Sequence, residues 1–291
     1  MSEFWNWWQH LPSHMDPTIF TIGNFPIRWY GTMYAVAFAV VYFLVKYRID
    51  SEKLNYRKEF LGDALMYAIL GVMIGGRFGY VLFYDFADFI VQPWRIISPF
   101  AQINGHWTFV GISGMSYHGG VLGVIVGWWL FSRKNKITFW TLAELFVPAI
   151  PIGYFFGRIG NFINGELFGR VTDANMGMYF PHATGSGLRH PSQLYEAFFE
   201  GIILFLVLWP LRKKSPFTGF LGGLYIFGYG FFRFFIEYFR QPDAHLGFVF
   251  LNFSMGQMLC FAMMLGGVAY WFLSYRSFKK TASAVKPGQK K

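Results

Sequence analysis

Residues 142–170 read LAELFVPAIPIGYFFGRIGNFINGELFGR. Positions 142–163 are long and apolar enough to cross a bilayer's hydrocarbon core, which takes roughly 20 such residues. The stretch then runs into Arg158, Asn161, Asn164, Glu166 and Arg170. A charged side chain at the centre of a membrane helix costs roughly 2.5–3.5 kcal/mol even on lenient scales, so it faces a protein interior or a cavity. On a helix Arg158, Asn161 and Gly165 share a face at i, i+3 and i+7. Gly157, Gly160, Gly165 and Gly169 suggest that the helix unwinds there and bares backbone donors, which a membrane tolerates only against protein or a cavity. A hydrogen-bonded turn that merely ends the helix is the plainer alternative. The density of polar residues favours a functional site.

Working outward, the same pattern gives about seven spans: 27–46, 63–84, 119–132, 142–163, 194–211, 219–239 and 254–275. The third is short and must extend at one end, before His118 or toward Arg133. The segment 85–117 is mixed and is expected along the interface, with Trp94 and Trp107 at headgroup level. Residues 1–18 read the same way through Trp5, Trp7 and Trp8. The fold class is therefore an all-α polytopic membrane protein. Composition agrees: 54% of the 291 residues are hydrophobic and 14% charged, against about 25% charged in a soluble domain. Residues 1–277 read as one transmembrane domain and 278–291 as a basic, disordered tail.

Lys and Arg orient the spans. Lys46, Arg48, Lys53, Arg57 and Lys58 follow the first span, Arg133, Lys134 and Lys136 the third, and Arg212, Lys213 and Lys214 the fifth. The tail is basic, and the intervening loops carry few cations. The positive-inside rule puts the N-terminus outside and the C-terminus in the cytoplasm. It also accounts for the net charge of +10 through anionic lipid, so no nucleic-acid partner is expected. The first Lys or Arg is Arg28, so no cleaved signal peptide is expected. The lone Cys260 sits in an apolar run, where a thiol is inert.

In this topology the polar clusters fall at the outer ends of the spans. Gly75-Gly76-Arg77 ends the second; its glycines suggest close helix packing, and Arg77 is structural or supports substrate. His118, in GMSYHGG at 114–120, is a candidate general base or a histidine hydrogen-bonded at a helix start. In RHPSQLYE at 189–196, Pro191 and Ser192 suit a helix start and cap. Glu196 and Glu200 share a face, so some cation must answer them. Tyr229, Arg233, Glu237 and Arg240 make a polar stripe on an aromatic helix that Pro242 and Asp243 would terminate. Arginines at a membrane edge suit a phosphate, because the guanidinium fork matches its oxygens. The residues thus describe a protein that handles a phospholipid at the outer leaflet. A transferase fits this, and so does the alternative of a phospholipid transporter or lipid-binding membrane protein. Paired repeats and a midplane cluster, which transporters favour, are absent from the sequence. A metal-dependent phosphotransferase would want clustered carboxylates.

At these motifs the chain resembles the bacterial prolipoprotein diacylglyceryl transferases. The matching stretches are Trp29-Tyr30-Gly31, GGRFGYVLFY at 75–84, GMSYHGG at 114–120, GRIGNFINGELFGR at 157–170, RHPSQLYE at 189–196, YGFFRFFIEYFRQPD at 229–243 and SMGQ at 254–257. The resemblance implies a bacterial inner-membrane enzyme with its site on the periplasmic side. It would move the diacylglyceryl group of phosphatidylglycerol to the lipobox cysteine thiol of a prolipoprotein, forming a thioether and releasing glycerol 1-phosphate. The implied partners are phosphatidylglycerol, lipobox-containing prolipoproteins and membrane lipids. Arg158 and Arg233 would hold the phosphate, Asn161 and Glu166 would position it, and His118 would take the thiol proton with Tyr30 orienting or relaying. Glu237 would orient Arg233, and Arg240, Arg77 and Tyr229 complete the expected substrate-binding set. No Walker loop, dinucleotide fingerprint or metal-ligand cluster appears, so no cofactor and no metal are expected.

Overall fold

The computed structural model describes residues 2–284 apart from 24, 85, 99, 104, 110–113, 242–247 and 251–252. Pro242 and Asp243, the expected helix terminators, lie outside the described residues. So does the tail beyond 284. The chain is mostly helical: α1 Glu3–His10, α2 Trp29–Ser51, α3 Phe60–Tyr84, α4 Phe86–Val91, α5 Tyr117–Lys134, α6 Phe139–Phe146, α7 Ile150–Ile163, α8 Ser192–Glu196, α9 Leu204–Leu211, α10 Phe220–Ile236 and α11 Met255–Ala284. A π-helical stretch, Ala197–Ile203, joins α8 to α9. Three antiparallel hairpins accompany them: β1 Thr18–Ile22 with β2 Phe25–Arg28, β3 Phe100–Ile103 with β4 His106–Phe109, and β5 Phe248–Phe250 with β6 Phe253–Ser254.

The seven apolar stretches are largely helical, 142–163 being broken into α6 and α7. By length and composition four helices can cross a membrane: Trp29–Ser51, Phe60–Phe83, Ser192–Lys214 and Met255–Ser283. The pair α6 and α7, bent by 62°, makes a fifth if the two are one span. Pro148 and Pro151 explain the bend, since each lacks an N–H to donate. The third stretch extends at both ends, to Tyr117 and Lys134. Large apolar side chains such as Phe43, Phe83, Leu122, Leu206 and Leu273 stay exposed on these helices. The chain is a multi-pass membrane protein.

It divides into two compact units, Met1–Lys53 with Ala143–Lys291, and Leu54–Leu142. In the second, α3 and α5 meet along a glycine seam. A Cβ on Gly71 or Gly75 would run into the backbone of Gly123 or Gly119, and one on Gly127 into the carbonyl of Tyr67. The period of four places these glycines on one face, so the backbones approach closely. Gly123→Ile would drive a branched side chain into the Gly71 carbonyl. The expected result is loss of about 3 kcal/mol or more, read as a large drop in the thermal midpoint in detergent.

In the first unit a buried charge cluster fixes one end of the helices. Arg48, on α2, donates from Nη1 to the carbonyls of Glu144 and Leu145 at 2.7 and 3.0 Å. It pairs with Glu52 at 3.1 Å, and Glu52 pairs with Arg212 at 3.2 Å. The Glu144 carboxylate accepts from the backbone N–H of Leu221 at 2.9 Å and Gly222 at 3.1 Å. An anion there satisfies orphan donors of α10 and complements its dipole. Val147, Leu204, Leu208 and Leu221 form the apolar core beside it. Arg233 lies 13 positions beyond Phe220 on α10, roughly 20 Å away at 1.5 Å per residue, so the two ends of this helix carry separate polar clusters.

Candidate functional site

Glu196 is the centre of the other cluster. Its side chain is fully buried and three arginines converge on it, from α7, from α10 and from the segment just after α10. Arg158 Nε stands 2.7 Å from Oε2, Arg233 Nη1 2.8 Å from the same oxygen, and Arg240 Nε 3.5 Å from Oε1. Arg233 also faces Glu200 at 3.8 Å and Glu237 at 3.7 Å, and Arg240 faces Glu237 at 3.4 Å. Tyr154, one helical turn before Arg158, accepts from Arg158 Nε at 2.7 Å and donates to Glu196 at 3.1 Å. Its ring stands edge-on to Tyr229, at 5.7 Å. Ser254 donates to Glu237 at 3.4 Å.

Three arginines and three glutamates so arranged are close to neutral among themselves, which is what permits burial at this depth. Among the described residues no hydrogen bond runs from the Nη2 group of Arg158, Arg233 or Arg240, whose contacts are made through Nε and Nη1. Those donors are the ones left for an incoming anion.

The end of α7 orients Arg158 from its other side. Nη1 donates to Asn161 Oδ1 at 3.2 Å, Asn161 Nδ2 donates to Glu166 Oε1 at 2.8 Å, and Asn164 Nδ2 reaches the same oxygen at 3.4 Å. The chain leaves the helix after Ile163 and turns sharply, with Gly165 at φ +66° and Leu167 at φ +58°. A residue with a Cβ is strained at such a φ. The turn is held from α8, where Gln193 Nε2 donates to the Glu166 carbonyl at 2.6 Å and Ser192 Oγ to the Leu167 carbonyl at 3.0 Å. Ser192 therefore does not cap its own helix, as its position suggested; its hydroxyl is used across the turn.

Arg170 and Arg189 brace the loop that follows. Arg170 Nε donates to the Arg240 carbonyl at 2.6 Å. Arg189 is buried, donates to the Thr184 carbonyl at 2.8 Å, and lies 5.1 Å over the Phe168 ring. Residues 171–190 pack inward through Met178 and Phe180 against Phe162, with Trp8 of α1 on the same cluster.

His190 Nδ1 lies 3.2 Å from Tyr195 Oη, and burial holds its imidazole below the usual histidine range. The folded state thus favours neutral His190, so its contribution to stability is complete above the unfolded value of about 6.5 and falls as pH drops through the folded pKa. The thermal midpoint in detergent should decline as pH falls from 7 toward 5. A His190→Phe variant should show a shallower decline.

The structure brings Arg158, Asn161, Glu166, Tyr229, Arg233, Glu237 and Arg240 together in one unit. Tyr30 is in that unit too. Its hydroxyl donates to Tyr34 at 3.2 Å, and a Cβ on Gly160 would stand 3.5 Å from its ring. Arg77 and His118 belong to the other unit. Arg77 donates to the carbonyls of Ile96 and Gly114 at 2.8 and 3.2 Å and lies 5.0 Å over Phe89, so it ties the end of α3 to the segments after it. His118 is exposed at the start of α5, its ring edge-on to Tyr117. The sequence missed Glu196 and Tyr154 as site residues. The spacing of Glu196 and Glu200 did announce a cation, but the cations come from α10 and α7. Tyr154 carried only the weak signal of standing four residues before Arg158.

A family model described as prolipoprotein diacylglyceryl transferase matches residues 17–273. The chain is 61% identical over 268 residues to the phosphatidylglycerol–prolipoprotein diacylglyceryl transferase of Chlorobaculum tepidum, covering 92% of this chain and 93% of that one. It is 45% identical over 280 residues to the enzyme of that name from Pseudoalteromonas atlantica, covering 95% of each. It is 42% identical over 323 residues to the one from Treponema denticola, covering 92% of this chain and 95% of that one.

Proposed function

The chain belongs to the prolipoprotein diacylglyceryl transferase family, and from that membership we propose how its residues divide the work. It is an enzyme that transfers the diacylglyceryl group of phosphatidylglycerol to the cysteine thiol of a prolipoprotein, the first step of lipoprotein maturation. The thiolate sulfur attacks the glycerol carbon of the diacylglyceryl group. The carbon–oxygen bond to phosphate breaks, a thioether forms, and glycerol 1-phosphate leaves. The thiol proton must go first, because the thiolate is the nucleophile. The departing phosphate oxygen gains negative charge that needs preorganised donors.

One observation supports the phosphate half best: Arg158 is fixed on two sides, by Tyr154 with Glu196 and by Asn161, and still has Nη2 to give. Arg158 and Arg233 hold the phosphate, Glu196 and Glu237 keep their forks in place, and Arg240 supports the lattice. Asn161 and Glu166 position the headgroup and Arg158. Tyr30 orients substrate or relays a proton, and His118 is the base. The last role rests on the family motif alone. A His118→Gln enzyme that keeps most activity would move it to Tyr30 or a carboxylate.

The loop pattern of Lys and Arg supports seven spans with the N-terminus periplasmic, the C-terminus cytoplasmic, and the site at the periplasmic face of the inner membrane. The decisive experiment supplies purified protein with radiolabelled phosphatidylglycerol and either a lipobox peptide or its Cys→Ser version. Label on the Cys peptide alone, with glycerol 1-phosphate released, is the expected result. Lipid moving between leaflets with neither peptide labelled would favour a transporter instead.

A further inference from the structure

Beside the arginine lattice lies a second polar opening that the transfer step does not use. Pro17, Thr18, Arg28, Asn164 and His182 line a cleft of about 280 Å³. The fold assembles it from three places. The β1–β2 hairpin sets Thr18 opposite Arg28, and Trp29 N–H donates to the Pro17 carbonyl at 2.9 Å, fixing both at the mouth of α2. Asn164 is the residue after α7. His182 follows buried Phe180, and a Cβ on Gly165 would stand 3.6 Å from its ring.

One buried acceptor in this cleft lacks a partner, and two exposed basic side chains line it uncommitted. Among the described residues neither the Arg28 guanidinium nor the His182 imidazole makes a hydrogen bond or ion pair. Asn164 Oδ1 is buried without a hydrogen bond. A carboxylate only accepts, so Asn164 must turn its Nδ2 to Glu166, and the orphan is its acceptor. A buried unmet acceptor is costly, and a ligand donor or water would relieve it. Glu166 then joins Asn164 to Asn161 and Arg158 at 3.4, 2.8 and 3.2 Å, so a continuous polar path leads from the cleft to the arginines. Asp16, whose carboxylate accepts from Thr18 N–H at 2.8 Å, does not line the cleft.

We propose that this cleft is a subsite for a glycerol phosphate group. Arg28 and His182 face the phosphate, and the Asn164 amide oxygen accepts from a glycerol hydroxyl. The charge pattern sets this orientation. Glu166 repels an anion beside the Asn164 amide but suits hydroxyl donors there, while Arg28 and His182 are the basic side chains lining the cleft. The proposal rests on the transferase reading, because that reaction leaves one hydrophilic product beside a membrane-level site. The same chemistry is borne by two sources, the headgroup of a phosphatidylglycerol before it reaches Arg158 and Arg233 and the glycerol 1-phosphate released from them.

The test uses the purified full-length enzyme, Arg28→Ala, and Arg28→Ala with His182→Ala, each compared for thermal midpoint. Calorimetric binding of glycerol 1-phosphate should weaken about ten- to a hundredfold in Arg28→Ala, the size of one charge-assisted hydrogen bond. Arg28→Lys should recover part of it, and inorganic phosphate should bind the wild type more weakly than glycerol 1-phosphate does. In transfer assays, a raised inhibition constant for glycerol 1-phosphate with unchanged KM for phosphatidylglycerol assigns the cleft to the released product. A raised KM assigns it to the lipid headgroup. Binding, inhibition and KM all unchanged in a double variant of normal thermal midpoint would overturn the subsite. Wild type that binds glycerol 1-phosphate yet transfers nothing would strike the transferase reading and leave the cleft standing.

Discussion

Arg158→Ala should abolish transfer while the protein still inserts and folds. The fold survives because Glu196 keeps Arg233 at 2.8 Å and Arg240 at 3.5 Å after Arg158 is gone. Its carboxylate is then still paired, and the severe penalty for an isolated buried charge does not arise. Activity does not survive. Arg158 is the arginine tied both to the Glu196 lattice and to the Asn161–Glu166 chain, so its fork is preorganised from two sides. Losing one preorganised donor to a developing oxyanion costs about 10²–10³ in kcat. On the proposed roles the lost group also holds the phosphate before it leaves, so the fall should be at the upper end. Arg158→Lys should not rescue it: a compact ammonium cannot meet Tyr154 and Asn161 and still present a further donor to phosphate. Turnover by purified Arg158→Ala within tenfold of wild type, at matched thermal midpoint, would remove Arg158 from the mechanism.

The sequence disclosed the fold to the extent that hydrophobicity carries it. The apolar stretches became mostly helical, with 142–163 broken into α6 and α7, and the glycines of α3 proved to be a packing seam. What it did not disclose was geometry that depends on distant partners. Nothing near Ser192 says that its hydroxyl will serve the Leu167 carbonyl in place of a cap. The bend between α6 and α7 is encoded by Pro148 and Pro151, yet the run 142–163 reads as one continuous span because hydropathy does not register a missing N–H. The site was legible wherever a charge stood out against apolar neighbours, as Arg158 and Arg233 do. Glu196 stood out too, but its importance lies in which cations reach it, and that is set by the packing of α7, α8 and α10.

Glu196→Ala is therefore expected to be the most damaging single change to stability. It would leave Arg158, Arg233 and Arg240 facing one another with Glu200 and Glu237 as the remaining anions. Breaking a buried pair by removing one partner costs about 3–5 kcal/mol, chiefly through the charge left behind. Glu196→Gln separates charge from shape: the amide keeps the volume and can still accept from Tyr154, but it no longer offsets the guanidinium groups. If charge balance is what holds the lattice, Glu196→Gln should also lower the thermal midpoint in detergent, and Arg240→Gln should partly restore it. Arg240 is the right partner, being the most distant of the three at 3.5 Å and the least buried. The double-mutant cycle should then show coupling of about 0.5–3 kcal/mol, the range for residues that share a network. Additive losses would mean that Glu196 acts by filling space and accepting hydrogen bonds, with the arginines indifferent to its charge. Activity supplies an independent reading. A double variant that regains stability but not transfer would separate the lattice's two duties, since neutrality can be met by any matched pair while the Glu196 carboxylate is the one anion that contacts both Arg158 and Arg233.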